Sequence, residues 1–361
     1  MITISLCMIV KNEEAVIARC LNSLKGIVDE IIIVDTGSTD NTKEIVKGFT
    51  DKVFDFKWID DFSAARNCSF SKATKDYILW LDADDVILEE DREKFIQLKK
   101  ELDPMIDIVM MKYNVGFDEH GNITLSYFRE RLSKRTMNCK WHEPVHEYLE
   151  INGYRINSDI CVTHRKECAP VAGRNLSIYE KLISMGKELS PRGLYYYARE
   201  LFYNGKYEKA IEYFNKFLDT KQGWVEDNIG ACYTLSMCYG YLSDKENSLK
   251  SLIKSFEYDT PRAEICCQLG YHYFEKNDYS KAITWYKLAT ELEMPTESWG
   301  FILHDFWGFI PSIQLCVCYD KLGNRKEAIK YNNRAAEYKP NDSSVDYNKQ
   351  YFINTTTQNK L

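Results

Sequence analysis

The chain has no excess of positive charge: 47 Lys and Arg stand against 54 Asp and Glu, a formal net charge of −7 over 361 residues. A nucleic-acid partner requires a basic footprint, so that class is excluded. Long apolar runs are also missing. The longest mainly apolar stretches, Ile2–Val10 and Ile31–Val34, fall far short of the roughly 20 residues that a membrane span requires. No basic segment and no small-residue cleavage site precede the first apolar strand, so no secretory signal is read. No pair of CxxC knuckles accompanies the twelve cysteines, which argues against a structural zinc site. Cys266-Cys267 and Cys316-Val317-Cys318 lie inside helical patterns, where thiols act as small apolar filler. The expected compartment is a reducing cytoplasm.

What is present is an ordinary globular composition, 45% hydrophobic and 28% charged, in two halves of different periodicity. Up to about Val171, short apolar runs alternate with helical stretches. Thr3–Val10, Glu30–Val34, Lys52–Phe56, Tyr77–Leu81 and Ile108–Tyr113 read as strands, several continuously apolar as doubly covered parallel strands are. Glu13–Leu24 and Thr39–Phe49 carry apolar residues at helical spacing between them. This alternation predicts an α/β domain with a mostly parallel, Rossmann-like sheet.

From about Leu194 a different unit recurs: a helix rich in Tyr, Leu and Cys, a short turn, then a second helix containing a small residue. Four copies are read, with Ala210, Ser248, Ala282 and Ala328 in equivalent places and the first three close to the 34-residue tetratricopeptide period. The expected organisation is an α/β domain over 1–170, a linker helix over 171–192, an all-α helical repeat domain over 193–345 and a polar tail over 346–361. The boundary itself is placed within Cys168–Arg174, punctuated by Pro170 and Gly173. An aromatic insert, Trp299–Phe309, interrupts the last interval.

Three clusters of polar residues follow strands, where ligands collect in open α/β sheets. The first is Val10-Lys11-Asn12-Glu13; the second is Asp35, followed by the Gly-containing turn Thr36–Asp40. The third is Asp82-Ala83-Asp84-Asp85 after the apolar run Tyr77–Leu81. In an extended segment Asp82 and Asp84 point the same way. Like charges that close require a cation or donors, and a hard divalent ion bridging to diphosphate oxygens meets that need. A fourth cluster is Lys140-Trp141-His142-Glu143-Pro144-Val145-His146-Glu147, with His164 beyond it. It is the richest acid/base cluster in the chain.

Together these motifs resemble family 2 glycosyltransferases of the GT-A fold. The stretch Asp60-Asp61-Phe62-Ser63-Ala64-Ala65-Arg66-Asn67 is similar to a motif of a subgroup that carries C-terminal tetratricopeptide-like repeats. That subgroup includes the sublancin-type peptide S-glycosyltransferases and the bacterial flagellin glycosyltransferases. The resemblance implies that Asp35 and Asp82 hold uridine and that Asp84 holds Mn2+ or Mg2+, with Asp82, His146 or His164 completing the metal shell. It implies that Arg66 and Asn67 sit near the donor, the alternative for Arg66 being a pair with Asp60 or Asp61. Arg129 and Arg131 face the diphosphate or belong to an exposed charge run. Glu147, ahead of Glu143, is the candidate base that takes the acceptor proton.

The function so implied is inverting transfer of a glucose- or N-acetylglucosamine-type sugar from a UDP-sugar to a protein or peptide acceptor, flagellin-like or bacteriocin-like. The repeats present that acceptor, and their aromatic residues Trp285, Trp299, Phe306 and Trp307 anchor it, pack as repeat core, or make a homo-oligomer contact. The alternatives are transfer to a lipopolysaccharide-core or surface glycan, and a nucleotide-binding repeat scaffold without turnover.

Overall fold

The computed structural model of the protein describes residues 1–167 and 173–358. Cys168–Ala172, most of the expected boundary, lie outside the described residues. The chain forms two compact units, one of residues 1–116, 126–188 and 297–300, the other of 117–125, 189–296 and 301–361.

The first unit is a layered α/β domain. Its strands are β1 (Ile4–Val10), β2 (Glu30–Asp35), β3 (Val53–Asp55), β4 (Tyr77–Trp80), β5 (Asp85–Val86), β6 (Ile108–Phe117), β7 (Ile123–Lys134) and β10 (Arg155–His164), with β8 (Trp141–His142) and β9 (Tyr148–Leu149) as a separate pair. The main sheet runs in the order β3-β2-β1-β4-β7-β6-β10-β5. β3, β2, β1 and β4 are mutually parallel, β10 is parallel to β6, and β7 and β5 run against β4 and β10. The sheet is therefore mixed, with a parallel majority. β7 and β10 went unread in the sequence because each carries polar residues at most alternate positions rather than one apolar run.

β1 shows why parallel strands read so clearly. Ile4, Leu6, Met8 and Val10 pack on one face with Ile17, Cys20 and Leu21 of α1 (Ile17–Ser23) and, after α2 (Thr42–Lys47) and α3 (Phe62–Phe70), with Phe95 of α4 (Glu89–Glu101). Cys7 packs on the other face with Ile32, Ile78 and Phe70 of α3. Burial on both faces makes both alternating sets apolar. α5 (Arg174–Ser184) closes this unit, shorter than the helix expected over 171–192.

One polar knot ties β1, β2 and the turn before β4. Glu30, 7% exposed, accepts from Ser5 Oγ, from Lys52 Nζ, and from Thr74 through its backbone N–H and its hydroxyl, both at 2.9 Å. Burial opposes its ionisation, but these donors outweigh it and hold the carboxyl at about 2. A depressed acid stabilises the fold above its ordinary pKa and loses that contribution as pH falls through the folded value.

The second unit is a helical array: α6 (Pro191–Tyr203) with α7 (Tyr207–Asp219), α8 (Val225–Tyr241) with α9 (Lys245–Lys254), α10 (Ala263–Glu275) with α11 (Tyr279–Glu291), and α12 (Phe309–Lys321) with α13 (Arg325–Tyr338). These are the four hairpins expected, and Ala210, Ala282 and Ala328 are wholly buried. Gly270 shows the close approach: a Cβ there would fall 2.7 Å from the Tyr286 ring.

Two expectations for this half change. The stretch from 346, expected as a polar tail, lies within α14 (Ser343–Gln358), which buries Val345 and Phe352 against the array. Trp285, Phe306 and Trp307, each partly buried, pack on the array's own core, as one of the expected alternatives has it. Trp299 belongs to the first unit, its Nε1 donating to Asn157 at 3.0 Å and its ring covered by Arg155 at 4.7 Å.

The Glu30 knot yields a measurable consequence. Glu30→Gln is expected to lose about 3 kcal/mol of stability near pH 7, from a shift worth 1.36 kcal/mol per pKa unit. The loss relative to wild type should be full above about pH 4.5 and shrink toward pH 2. Urea denaturation across that range checks it, and a pH-independent difference would discount the ionic account.

Candidate active site

Strand order builds the site. β2, β1 and β4 are adjacent and parallel, so Asp35, the segment after Val10 and the segment after Trp80 emerge at one edge of the sheet. β10 is parallel to β6, and its last residue, His164, lies opposite Asp85 in the ladder with β5. Residues some 80 positions apart in the chain are thereby brought side by side.

The first two loops form a single preorganised rim. The Thr36 N–H donates to Val10 O at 2.9 Å. Asn12, at φ +56°, donates its N–H to Ser38 Oγ at 2.9 Å, and its side-chain oxygen accepts from the Thr39 N–H at 2.8 Å. Asn tolerates this left-handed conformation better than most residues. Asp35, 2% exposed, accepts from the N–H groups of Gly37 at 3.1 Å and Ser38 at 3.0 Å, and Gly37 is at φ +106°, where a side chain would be strained. Asp35 thus shapes its own turn. Lys11 and Asn12 are exposed on the rim, while Val10 and Ala83 are buried under it.

The acidic segment differs from the extended geometry expected of it. β4 ends at Trp80, and the Asp85 N–H closes a turn onto Asp82 O at 3.1 Å. The turn sends each carboxylate to a different partner. Asp82 accepts from Arg66 at 2.7 Å, Asp84 approaches His164 Nδ1 at 3.4 Å, and Asp85 meets Arg131 at 3.1 Å. Burial opposes ionisation of Asp82, but Arg66 and Arg131 outweigh it and hold the carboxyl at about 2. Hydrogen bonds to Asp84 and Asp85 raise the His164 imidazole to about 9.

Among the described residues, the acidic and histidine groups able to share a cation are Asp84, Asp85 and His164, whose ligand atoms lie within 4.8 Å of one another. The expected set is corrected in two places: Asp82 is taken up by Arg66, and His146 lies outside the cluster. Glu13 stands in the same field. Burial first, then the charges of Asp84, Asp82 and Asp40, push its carboxyl up to about 7. Acids held this close mark a place where a cation relieves repulsion.

Arg66 is the centre of the other side. It is 6% exposed on α3, its Nε donating to Glu147 at 2.7 Å and its Nη2 to Asp82 at 2.7 Å. Its guanidinium carbon lies 4.8 Å from the Trp80 ring and 4.9 Å from Trp141, and the two rings meet edge to face. The alternative pair with Asp60 or Asp61 does not form. Asp61 caps α3 by accepting from the Ala64 N–H at 3.0 Å, and Asp60 pairs with Lys181.

Glu147 is positioned by a tightly held loop. Phe62 N–H donates to Pro144 O at 2.9 Å and Tyr179 OH to Val145 O at 3.3 Å. Glu143 at φ +70° and His146 at φ +54° flank this pair in left-handed conformations that a non-glycine residue adopts at a cost.

Residues 5–162 match the model for glycosyl transferase family 2, and 192–222, 263–293 and 315–342 match a tetratricopeptide repeat. Residues 5–162 thus form a family 2 glycosyltransferase domain. The chain is 31% identical over 230 residues to the SPbeta prophage-derived glycosyltransferase SunS of Bacillus subtilis, covering 60% of this chain and 53% of that one. It is 37% identical over 151 residues to a TPR repeat-containing protein of Synechococcus elongatus, 42% of this chain and 36% of the relative. It is 41% identical over 87 residues to an uncharacterized glycosyltransferase of Rickettsia typhi, 24% of this chain and 30% of the relative. The chain thus spans about half the length, or less, of these curated relatives.

Within the glycosyltransferase domain, two residues expected at the nucleotide-sugar are supports instead. Arg131 is wholly buried between Trp80, at 4.0 Å, and Tyr113, at 4.3 Å, with its charge spent on Asp85. Asn67 donates to Trp141 O and accepts from the Trp141 N–H, both at 2.9 Å, and so fixes the strand that carries the second tryptophan. Sequence reasoning counted Asp85 among the acids without giving it a role, and missed Tyr113 and the pairing of Trp80 with Trp141. Trp80 flanks the expected acids and could have been found by adjacency, but Tyr113 gave no local signal.

Removing Arg66 should expose how much hangs on it. Arg66→Met leaves Asp82 and Glu147 together without their shared cation, a loss of about 3 to 5 kcal/mol for a broken buried pair. Arg66→Lys should recover only part, because an ammonium cannot serve both carboxylates with a planar fork while stacked between rings. Equilibrium unfolding of both variants tests this, and a lysine variant of wild-type stability would overturn the bidentate reading.

Proposed function

We propose that the protein transfers a sugar from a UDP-sugar to a side chain of a protein or peptide acceptor with inversion, aided by a divalent cation. The observation that carries this reading is the pairing, in a family 2 glycosyltransferase domain, of a cation-ready cluster with an ion-paired carboxylate on a strained loop. The nucleotide rests on the rim of Val10, Lys11, Asn12, Glu13 and Asp35, with Asp82 and Ala83 at its edge.

Two carboxylates and an imidazole make a hard, oxygen-rich donor set that suits Mn2+ or Mg2+. Asp84 and His164, each about a quarter exposed, would hold it, and its charge when bound offsets that of the leaving diphosphate. Arg66 pairs with the Glu147 carboxylate and aims it. Glu147 then takes the proton of the acceptor nucleophile as that atom attacks the anomeric carbon; Glu143 is the second candidate for that task. Arg66, by holding Glu147 and Asp82 together, couples the base to the donor side of the site. The tetratricopeptide repeats support a protein or peptide acceptor, since stacked hairpins present extended binding surfaces.

Asp84→Ala is expected to abolish Mn2+-dependent release of UDP from UDP-sugars while the near-UV circular dichroism stays native. Undiminished release would remove Asp84 from the metal site. Glu147→Gln should keep UDP-sugar affinity and lose at least about a hundredfold in transfer, the usual contribution of a general base. The same loss in Glu143→Gln alone exchanges the two roles. Tight UDP-sugar binding by wild type with no turnover on any acceptor or on water would favour a scaffold over an enzyme.

A further inference from the structure

We propose that Tyr113 is a positioning residue that fixes the His164 ring with its Nδ1–H turned toward the domain interior, reserving Nε2 for the cation. The inference rests on the metal reading above. It follows from counting donors and acceptors around one hydroxyl. Tyr113, on β6 and 6% exposed, has its hydroxyl 2.7 Å from Asp85 Oδ1 and 3.1 Å from His164 Nδ1.

Asp85 is wholly buried and its other oxygen faces the Arg131 guanidinium at 3.1 Å. With one oxygen of that carboxylate facing the guanidinium, the Tyr113 hydroxyl donates to the other. The single proton of Tyr113 therefore goes to Asp85. What the hydroxyl offers His164 is a lone pair, so the 3.1 Å contact is a hydrogen bond only if Nδ1 donates. The remaining polar neighbours of Nδ1, Asp84 at 3.4 Å and Asp85 at 3.5 Å, are acceptors as well. Every polar atom facing that nitrogen asks it for a proton.

The same count changes the standing of Asp85. It lies close enough to Asp84 and His164 to be taken for a ligand, but Arg131 and Tyr113 already occupy it and no part of it is exposed. Arg131, Asp85 and Tyr113 are thus a supporting chain, and the groups left for the cation are Asp84 and His164 Nε2. Histidines that bind metal commonly hydrogen-bond their other ring nitrogen in this way, and removing such a partner costs 10- to 100-fold in metal affinity. The backbone cooperates: His164 is paired to Asp85 in the β10–β5 ladder, and the Tyr113 and His164 rings meet edge to face at 5.9 Å.

The test is Mn2+ titration of the full-length protein, followed by electron paramagnetic resonance of free Mn2+, with Tyr113→Phe beside wild type. The phenylalanine variant keeps the ring and removes only the hydroxyl. The expected result is a Kd for Mn2+ raised at least about tenfold with unchanged near-UV circular dichroism. Nitrogen-15 spectra of histidine-labelled, Mg2+-saturated wild type should show the His164 Nδ1 protonated. Should Tyr113→Phe fail to fold, those wild-type spectra decide alone. A Kd within twofold of wild type, or spectra with the metal on Nδ1, overturns the assignment of Tyr113 while leaving the metal reading in place. A wild-type protein that takes up neither ion overturns both.

Discussion

One guanidinium holds the catalytic half of this domain together. Arg66 reaches 16 residues forward to Asp82 and 81 residues forward to Glu147, so it joins the strand that delivers the acids to the loop that delivers the candidate base. The cost of burying a cation is met by two charge-assisted hydrogen bonds and two aromatic faces. The side chain must be planar to stack between Trp80 and Trp141 while forking to two carboxylates. Asn67, the next residue on α3, clamps the Trp141 backbone. A short helix capped by Asp61 thus determines where three separate segments of chain can lie.

Charge is distributed around this point by geometry rather than by composition. Three aspartates leave β4 within four positions, a density that would be costly if their carboxylates converged. The turn at Asp82–Asp85 separates them, and each finds a different neighbour: Arg66 for Asp82, Arg131 with Tyr113 for Asp85, and His164 for Asp84. Two of the three are neutralised by buried arginines and become structural. Asp84 is the one of the three not paired with a buried arginine, and its side chain is about a quarter exposed. The turn therefore selects which carboxylate of the motif remains available to a ligand.

How far the sequence disclosed this depended on the range of the interaction. β1, β2 and β4 were plain because burial on both faces leaves unbroken apolar runs, and their ends emerge at one edge of the sheet. The four hairpins were plain because the small residues that let helices touch recur near a fixed interval. β7 and β10 were missed because alternation with Arg, Glu, Asn and Asp resembles a charge run when neither neighbour strand is known. His164 was read as a candidate ligand and lies with Asp84 and Asp85 in one group, opposite Asp85 in the ladder; His146, equally plausible in the linear string, lies outside that group. Tyr113 was invisible, since its partners lie 28 and 51 residues away and a tyrosine in an apolar strand has an ordinary packing explanation. Residues 346–361 were read as a tail because the sequence there is polar; among the described residues of this helix, Val345 and Phe352, seven apart, betray its buried face.

Arginine placement gives a last distinction that sequence could not supply. Arg129 and Arg131 are two residues apart on β7, so they line the same face of the strand, and both guanidiniums come to the Trp80 ring, at 4.7 Å and 4.0 Å. Arg131 is sealed, whereas the Arg129 side chain retains 22% exposure and pairs with Glu130 at 3.1 Å. Trp80 is thus bordered by three cations, and its Nε1 donates to Glu130 O at 2.7 Å. An aromatic ring with so many cationic neighbours cannot shift without disturbing the partners of Asp82, Asp85 and Glu147 at once. The rigidity that holds Glu147 and Asp82 in register therefore resides less in the exposed loops than in this buried tryptophan, four residues before Asp84.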